Sequence, residues 1–162
     1  MALSLSVQPA FSIDERKLSF YHTHTGNELE VVYARGGEYV DSALDEIESF
    51  LSDFRTGDAR AIDPALLDLV YDIRDSLGSR GTFEIISAYR SPQTNQMLQD
   101  RSSNSGVATK SQHLLGKAID LRLRGVPTTD LRDAAIALQR GGVGFYETSD
   151  FVHVDTGRIR RW

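Results

Sequence analysis

Apolar and polar positions recur along this chain at two different periods, and the switches between them mark the elements. Lys17–His22 and Glu28–Ala34 flank the turn-forming Thr25-Gly26-Asn27, which predicts a β-hairpin. From Asp41 the period lengthens: Leu44, Ile47, Leu51 and Phe54 recur every three or four residues, predicting an amphipathic helix over Asp41–Phe54. Asp63-Pro64 is a start signal for a second helix, a capping acceptor followed by a residue whose missing N–H costs nothing there. Leu66, Leu67, Val70, Ile73 and Leu77 form its buried stripe, and Gly78 stops it. Phe83–Ser87 is a short apolar strand, Pro92–Asp100 a helix and Ser102–Lys110 a loop of small residues. Lys117–Leu123 returns to strict alternation, with Ile119, Leu121 and Leu123 on one face and Ala118, Asp120 and Arg122 on the other. Thr128–Arg140 is a third amphipathic helix stopped by Gly141-Gly142, and Val143–Tyr146 with Phe151–Asp155 make a final hairpin. Strands, then helices, then strands give an α+β fold, expected as one domain with a small antiparallel sheet and helices packed against it.

Composition narrows the chemistry. The 162 residues contain no cysteine, which excludes disulfides, thiolate-bound zinc, iron–sulfur clusters and a thiol nucleophile. The net charge of −5 excludes general nucleic-acid binding, which needs a basic surface. That charge is uneven: residues 1–80 carry 7 basic and 15 acidic side chains, a net −8, and residues 81–162 carry 11 and 8, a net +3. An anionic ligand is therefore better received by the second half. No stretch approaches a membrane span, and residues 1–15 lack the basic start and apolar run of a secretory signal. They are expected to be an N-terminal extension, or the scar of a removed signal, ahead of a domain over 16–162.

Two of the four histidines stand where chemistry is plausible. Ser111-Gln-His113-Leu-Leu-Gly116-Lys-Ala118-Ile-Asp120 puts an imidazole in a loop and a carboxylate on the polar side of the next strand. Phe151-Val-His153-Val-Asp155 puts a second imidazole on another strand, with Asp155 on the same face. Two imidazoles and a carboxylate are a common catalytic zinc set that leaves one position for water. Spacing alone leaves two other readings open: a hydrogen-bonded strand histidine beside a turn-capping Asp120, and a non-haem iron triad. The iron reading is the weaker, because His113 and Asp120 are separated by six residues where that triad places its first pair one apart.

The ordered set Ser111-x-His113-x-x-Gly116-x-Ala118-x-Asp120 with His153 resembles the M15-type zinc peptidases of the D-alanyl-D-alanine carboxypeptidase superfamily. Leu18–Gly26, Ser87-Ala-Tyr-Arg-Ser-Pro92, Gly141-Gly-Val-Gly144, Phe151–Gly157 and Arg161-Trp162 extend the resemblance to the murein endopeptidase branch over residues 16–162. It implies a hedgehog-like peptidase fold and one zinc ion held by His113, Asp120 and His153. It also implies Arg90 beside the substrate, holding a carboxylate or an oxyanion, although Ala88 stands where the family more often has Gly. Ser111 would line the site and bond substrate. Gly116 and Ala118 would let the His113 loop pack against the strand. For the general base the resemblance offers two candidates: Asp150, three residues before the last histidine, and Asp155, which could instead orient a ligand or support Arg90.

The activity so implied is zinc-dependent hydrolysis of amide bonds in peptidoglycan stem peptides or their cross-links, in the periplasm or cell envelope. A D,D- or L,D-carboxypeptidase and a catalytically silent peptidoglycan-binding module are the alternatives. His22 and His24 are expected to be structural, Ser87 and Ser111 are not expected to be nucleophiles, and Tyr89, Phe145 and Tyr146 are expected in the core.

Overall fold

A computed structural model describes residues 14–101 and 108–162. Most of the expected N-terminal extension (1–13) and most of the small-residue loop (102–107) lie outside the described residues. The strands are β1 (Glu15–His22), β2 (Glu28–Arg35), β3 (Glu38–Tyr39), β4 (Phe83–Ser87), β5 (Ala118–Leu123), β6 (Gly142–Tyr146), β7 (Phe151–Asp155) and β8 (Arg160–Arg161). The helices are α1 (Asp41–Phe50), α2 (Pro64–Ser76), α3 (Pro92–Asp100) and α4 (Thr128–Leu138), with a short 3-10 helix over Gln112–Leu115.

The fold is α+β, as the pattern predicts, but the sheet is neither small nor purely antiparallel. Its eight strands run β3-β2-β1-β4-β5-β7-β6-β8, with β1–β4 and β6–β8 parallel. The two-residue β3 and β8 are too short to show a period. The parallel β1–β4 pair joins strands on either side of α1 and α2, a long-range pairing that local patterns do not encode.

One apolar core collects Leu18 and Phe20 of β1, Phe83 and Ile85 of β4, Ile119 and Leu121 of β5, and Val152 and Val154 of β7. It closes against Ile47 of α1, Leu66 and Val70 of α2, and Leu131 and Ala135 of α4. Because strand side chains alternate, sending Ile119, Leu121, Val152 and Val154 into this core turns Asp120, His153 and Asp155 to the opposite face.

Helix limits follow local chemistry. Asp63 caps α2 by accepting from Ala65 N (3.0 Å), and Ser91 caps α3 by accepting from Thr94 N (3.2 Å). The first helix ends at Phe50, not Phe54, because the chain turns around buried Asp53, whose backbone bonds Asp58 and Gly57. Asp53 also accepts from Ser91 N (2.8 Å) and Arg55 N (3.0 Å), which ties this turn to the start of α3. The fourth helix stops at Leu138, with Gln139 in the left-handed region (φ 51°), so Gly141-Gly142 does not terminate it. Close packing accounts for Gly141 instead: a Cβ there would lie 1.7 Å from the Asp155 carbonyl oxygen.

The hairpin histidines are structural in their contacts. His22 is buried, its Nδ1 accepts from His24 N (3.3 Å), and burial pushes its imidazole pKa down. His24 stacks on Phe54 at 4.1 Å.

Gly78 and Gly116 separate conformation from crowding. Both have positive φ (61° and 67°), but a Cβ on Gly78 meets nothing within 4 Å, whereas one on Gly116 would lie 2.2 Å from the Ala61 carbonyl oxygen. Gly116 thus packs against the segment before α2. Gly78→Ala is expected to cost about 1 kcal/mol, the left-handed penalty alone. Gly116→Ala is expected to cost at least ~3 kcal/mol, because backbone has to move. Urea unfolding of the two variants measures the difference.

Candidate metal centre

Register places the site. On neighbouring strands Asp120 of β5 and His153 of β7 are directly opposed, so their side chains rise from the same face as a cross-strand pair. His113 comes from the 3-10 helix just before β5. Ser111 caps that helix, its Oγ accepting from His113 N (3.3 Å), and Gly116 closes it in the left-handed conformation. The His113 carbonyl accepts from Arg90 N (3.2 Å), so the loop after β4 is pinned to the same helix.

The three side chains are buried and converge. His113 Nε2 is 3.2 Å from His153 Nδ1 and 3.3 Å from Asp120 Oδ1, and His153 Nδ1 is 2.9 Å from Asp120 Oδ1. Neighbours fix which nitrogen of each ring faces inward. His113 Nδ1 lies 2.6 Å from the Ala88 carbonyl oxygen, which can only accept, so Nδ1 carries the hydrogen and Nε2 presents a lone pair. His153 stands between two carboxylates, Nε2 2.8 Å from Asp155 Oδ2 and Nδ1 2.9 Å from Asp120 Oδ1; with a metal on Nδ1, Asp155 would hold the remaining hydrogen on Nε2.

Three acceptors facing one another about 3 Å apart repel unless a cation lies among them. Four ligands at ~2.05 Å around a tetrahedral ion stand ~3.3 Å apart, close to the spacings found. The donor set therefore fits a metal ion, and His113, Asp120 and His153 could hold one. Without a metal, a proton is the alternative cation. Burial alone lowers the pKa of His153, but bonds to Asp120 and Asp155 prevail and raise it. Burial alone raises the Asp120 carboxyl, but the charges and hydrogen bonds of the two imidazoles hold it well below the usual carboxylate range.

Asp155 lies behind His153 and is itself fully buried. Its carboxylate accepts from Arg160 through both Nη1 (3.0 Å) and Nη2 (2.7 Å), and from the backbone N–H of Gly142 (3.1 Å) and Gly157 (2.8 Å). Burial raises this carboxyl, and the bonds from His153, Arg160 and Gly157 outweigh it and hold the carboxyl far below its ordinary value.

A cleft opens over the triad, lined among others by Arg90, Lys110, Ser111, Tyr146, Phe151 and Trp162. Arg90 Nη1 donates to Asn95 (3.4 Å), while its buried Nε has no partner among the described residues. Burial lowers the Arg90 pKa and the negative Asp120 opposes that shift. Asp150 is not among the cleft-lining residues. It sits in the β6–β7 turn with φ 51°, its carboxylate accepting from Thr128 Oγ1 (2.7 Å) and facing Arg122 (3.5 Å). The structure thus gathers Arg90, Ser111, His113, Asp120 and His153, sets Asp155 one shell behind, and leaves Asp150 outside the cleft.

Tyr89 is buried and Phe145 packs on the core as expected, but Tyr146 is 37% exposed and lines the cleft. It ends β6 on the face of Gly144, the partner of His153, opposite the core-facing Val143 and Phe145. Sequence reasoning gave no role to Lys110 or Arg160, nor to the Ala88 carbonyl. Arg160 lies in a two-residue strand without periodicity, and a backbone acceptor leaves no trace in residue type.

The chain was compared with known proteins. Residues 10–162 match the M15-type family described as peptidoglycan L,D-endopeptidase MepK. Peptidoglycan L,D-endopeptidase MepK of Escherichia coli K12 is 39% identical over 147 residues, which span 91% of this chain and 80% of that protein. The probable peptidoglycan L,D-endopeptidase MepK of Haemophilus influenzae is 39% identical over 148 residues, 91% of this chain and 78% of that protein. No solved structure matches significantly. Together with the sequence motifs and the site they build, these matches establish that the chain belongs to the MepK family of M15-type peptidases.

Proposed function

We propose that this protein is a zinc-dependent peptidoglycan endopeptidase that hydrolyses amide bonds in peptide cross-links of the cell wall, acting in the periplasm or cell envelope. The observation that carries this reading is the convergence of three ligand atoms, His113 Nε2, Asp120 Oδ1 and His153 Nδ1, in a cleft beside Arg90. A zinc ion held there supplies Lewis acidity and a water acidic enough to ionise near pH ~7.

The chain's own groups do the rest. Ala88 and Asp155 fix the two imidazoles in the tautomers that ligation needs. Arg90 holds a cation over the cleft with a buried, unpartnered Nε. That group is suited to a substrate carboxylate or to the oxyanion that develops as the amide carbonyl is attacked. Ser111 Oγ accepts from His113 N and keeps its own hydrogen to donate to substrate. Asp155 acts through His153 as a positioning residue, because its oxygens are occupied by His153, Arg160 and two backbone amides. Asp150 could take a proton from the attacking water only after leaving Thr128 and Arg122. A carboxypeptidase is the second reading, favoured by Arg90 and Lys110 in one cleft, a suitable pair for a free terminal carboxylate.

Mass spectrometry of defined muropeptides treated with the zinc-loaded protein separates these readings. Cleavage between two stems is expected, with release of a terminal residue the mark of a carboxypeptidase. His113→Ala is expected to abolish either, and no hydrolysis of any muropeptide by the wild type would sink the proposal.

The two aspartates differ in what they should change. Asp155→Asn is expected to weaken zinc binding by roughly tenfold to a hundredfold, as loss of a ligand's outer partner does. Asp150→Asn should leave both zinc affinity and turnover within about twofold. Competition with a chromogenic chelator and steady-state rates measure the two.

Stability should depend on pH in a way that zinc reverses. The depressed Asp120 and Asp155 stabilise the metal-free fold above their ordinary value of 3.8, and that contribution is lost as pH falls toward their lower native values. The raised His153 stabilises it below 6.5, a contribution lost as pH rises through its higher native value. The metal-free protein should therefore be most stable between these limits. Zinc needs neutral imidazoles, so its stabilisation should grow above them. Melting temperatures from about pH 3 to 9, with zinc and with chelator, check this; parallel curves would contradict it.

A further inference from the structure

The Arg161-Trp162 motif has no part in the chemistry above, yet the structure seats Trp162 with care. The backbone of Trp162 pairs with β6 on both sides, Trp162 N donating to Val143 O (3.2 Å) and Phe145 N to Trp162 O (3.0 Å). Its indole fills the space over Gly144, where any Cβ would come within 2.6 Å of the ring. The indole Nε1 donates to Tyr146 Oη (3.0 Å), the Arg160 guanidinium lies 5.0 Å from the ring, and the His153 imidazole lies 5.1 Å away. Tyr146 in turn stacks on Phe151 at 4.5 Å. Despite this support Trp162 stays 52% exposed, and it lines the cleft together with Tyr146.

A ring held from several sides and still half exposed is a preorganised packing surface. The cleft is small, about 230 Å³, below the ~300 Å³ at which drug-sized sites begin, which suits a residue or two of peptide. Where the amine of a cross-link amide stands at the end of a side chain, methylenes lie near the bond that is cut, which an ordinary peptide bond does not offer. Arg90 and Lys110 offer those methylenes nothing, whereas the aromatic surface beside His153 does.

We propose that Trp162 and Tyr146 determine specificity by stacking against the aliphatic side chain that carries the cross-linked amine. The proposal rests on the endopeptidase reading above. It makes the aromatic wall a means of choosing side-chain amides over backbone amides.

Two peptides with the same acyl half test it, one an amide of the side-chain amine of a diamino acid, the other an amide of the α-amine of alanine. The zinc-loaded wild type should prefer the first. Trp162→Ala and Tyr146→Ala should each reduce the ratio of kcat/KM between the two peptides by about tenfold, mainly through KM. That factor equals ~1.4 kcal/mol, or about two buried methylenes. Trp162→Phe should keep most of the preference. A ratio unchanged in both alanine variants would overturn the proposal, because the rings would then serve only to support His153. If Trp162→Ala fails to fold, Tyr146→Ala carries the kinetic test alone.

A second measurement needs no turnover. Trp162 is the single tryptophan of the chain, so its emission reports on this wall alone. Titrating the metal-free wild type with the free diamino acid should change that emission saturably, and alanine should not. Equal responses, or none, would overturn the proposal. Failure of the wild type to cleave either peptide would overturn the endopeptidase reading, and the emission titration would still decide this one.

Discussion

The cleft depends first on the register between β5 and β7. Opposing Asp120 to His153 brings a carboxylate and an imidazole from distant parts of the chain to within hydrogen-bond reach on one face. A slip of one residue would put the two on opposite faces, sending one into the apolar core and bringing the apolar residues of its strand to the cleft. The core therefore enforces the site. Burying the valines and the isoleucine is strongly favourable, and a one-residue slip forfeits it on one of the two strands.

Having two imidazole nitrogens and a carboxylate oxygen this close creates an electrostatic problem that the surroundings answer in layers. Asp155 takes the outer hydrogen of His153 and is a charge buried out of water, a costly arrangement unless its acceptors are filled. Arg160, Gly142 and Gly157 fill them. The tight approach of Gly141 to the Asp155 backbone belongs to the same arrangement, since a side chain there would push β7 away from β6. What looks like a glycine-rich helix terminator is packing in support of the inner ligands.

The sequence made much of this legible, for identifiable reasons. Strands and helices with a full period, such as β5, β7 and α2, lie within a residue or two of where alternation and capping put them. A cysteine-free chain leaves histidines and carboxylates to hold a metal, and the resemblance to the M15-type peptidases singled out His113, Asp120 and His153. What stayed hidden has no periodic trace. The parallel β1–β4 pairing and the two-residue β8 depend on long-range closure. The early end of α1 depends on a buried aspartate, and the tautomer of His113 on a backbone carbonyl. The position of Asp150 was hard to read because a residue count cannot show that a turn swings its carboxylate toward Thr128.

Asp53 carries one more consequence. Its carboxylate bonds the backbone of Ser91, next to Arg90, and burial there is overcome by donors that keep it ionised. The strongly acidic first half of the chain thus holds the cation on which the basic second half relies. In the sheet β4 is also wedged between β1 and β5. The half that contains every ligand is therefore not a transplantable unit. Grafted elsewhere without residues 1–80, it would bring the candidate metal ligands but leave Arg90 without its anchor and β4 with a bare edge.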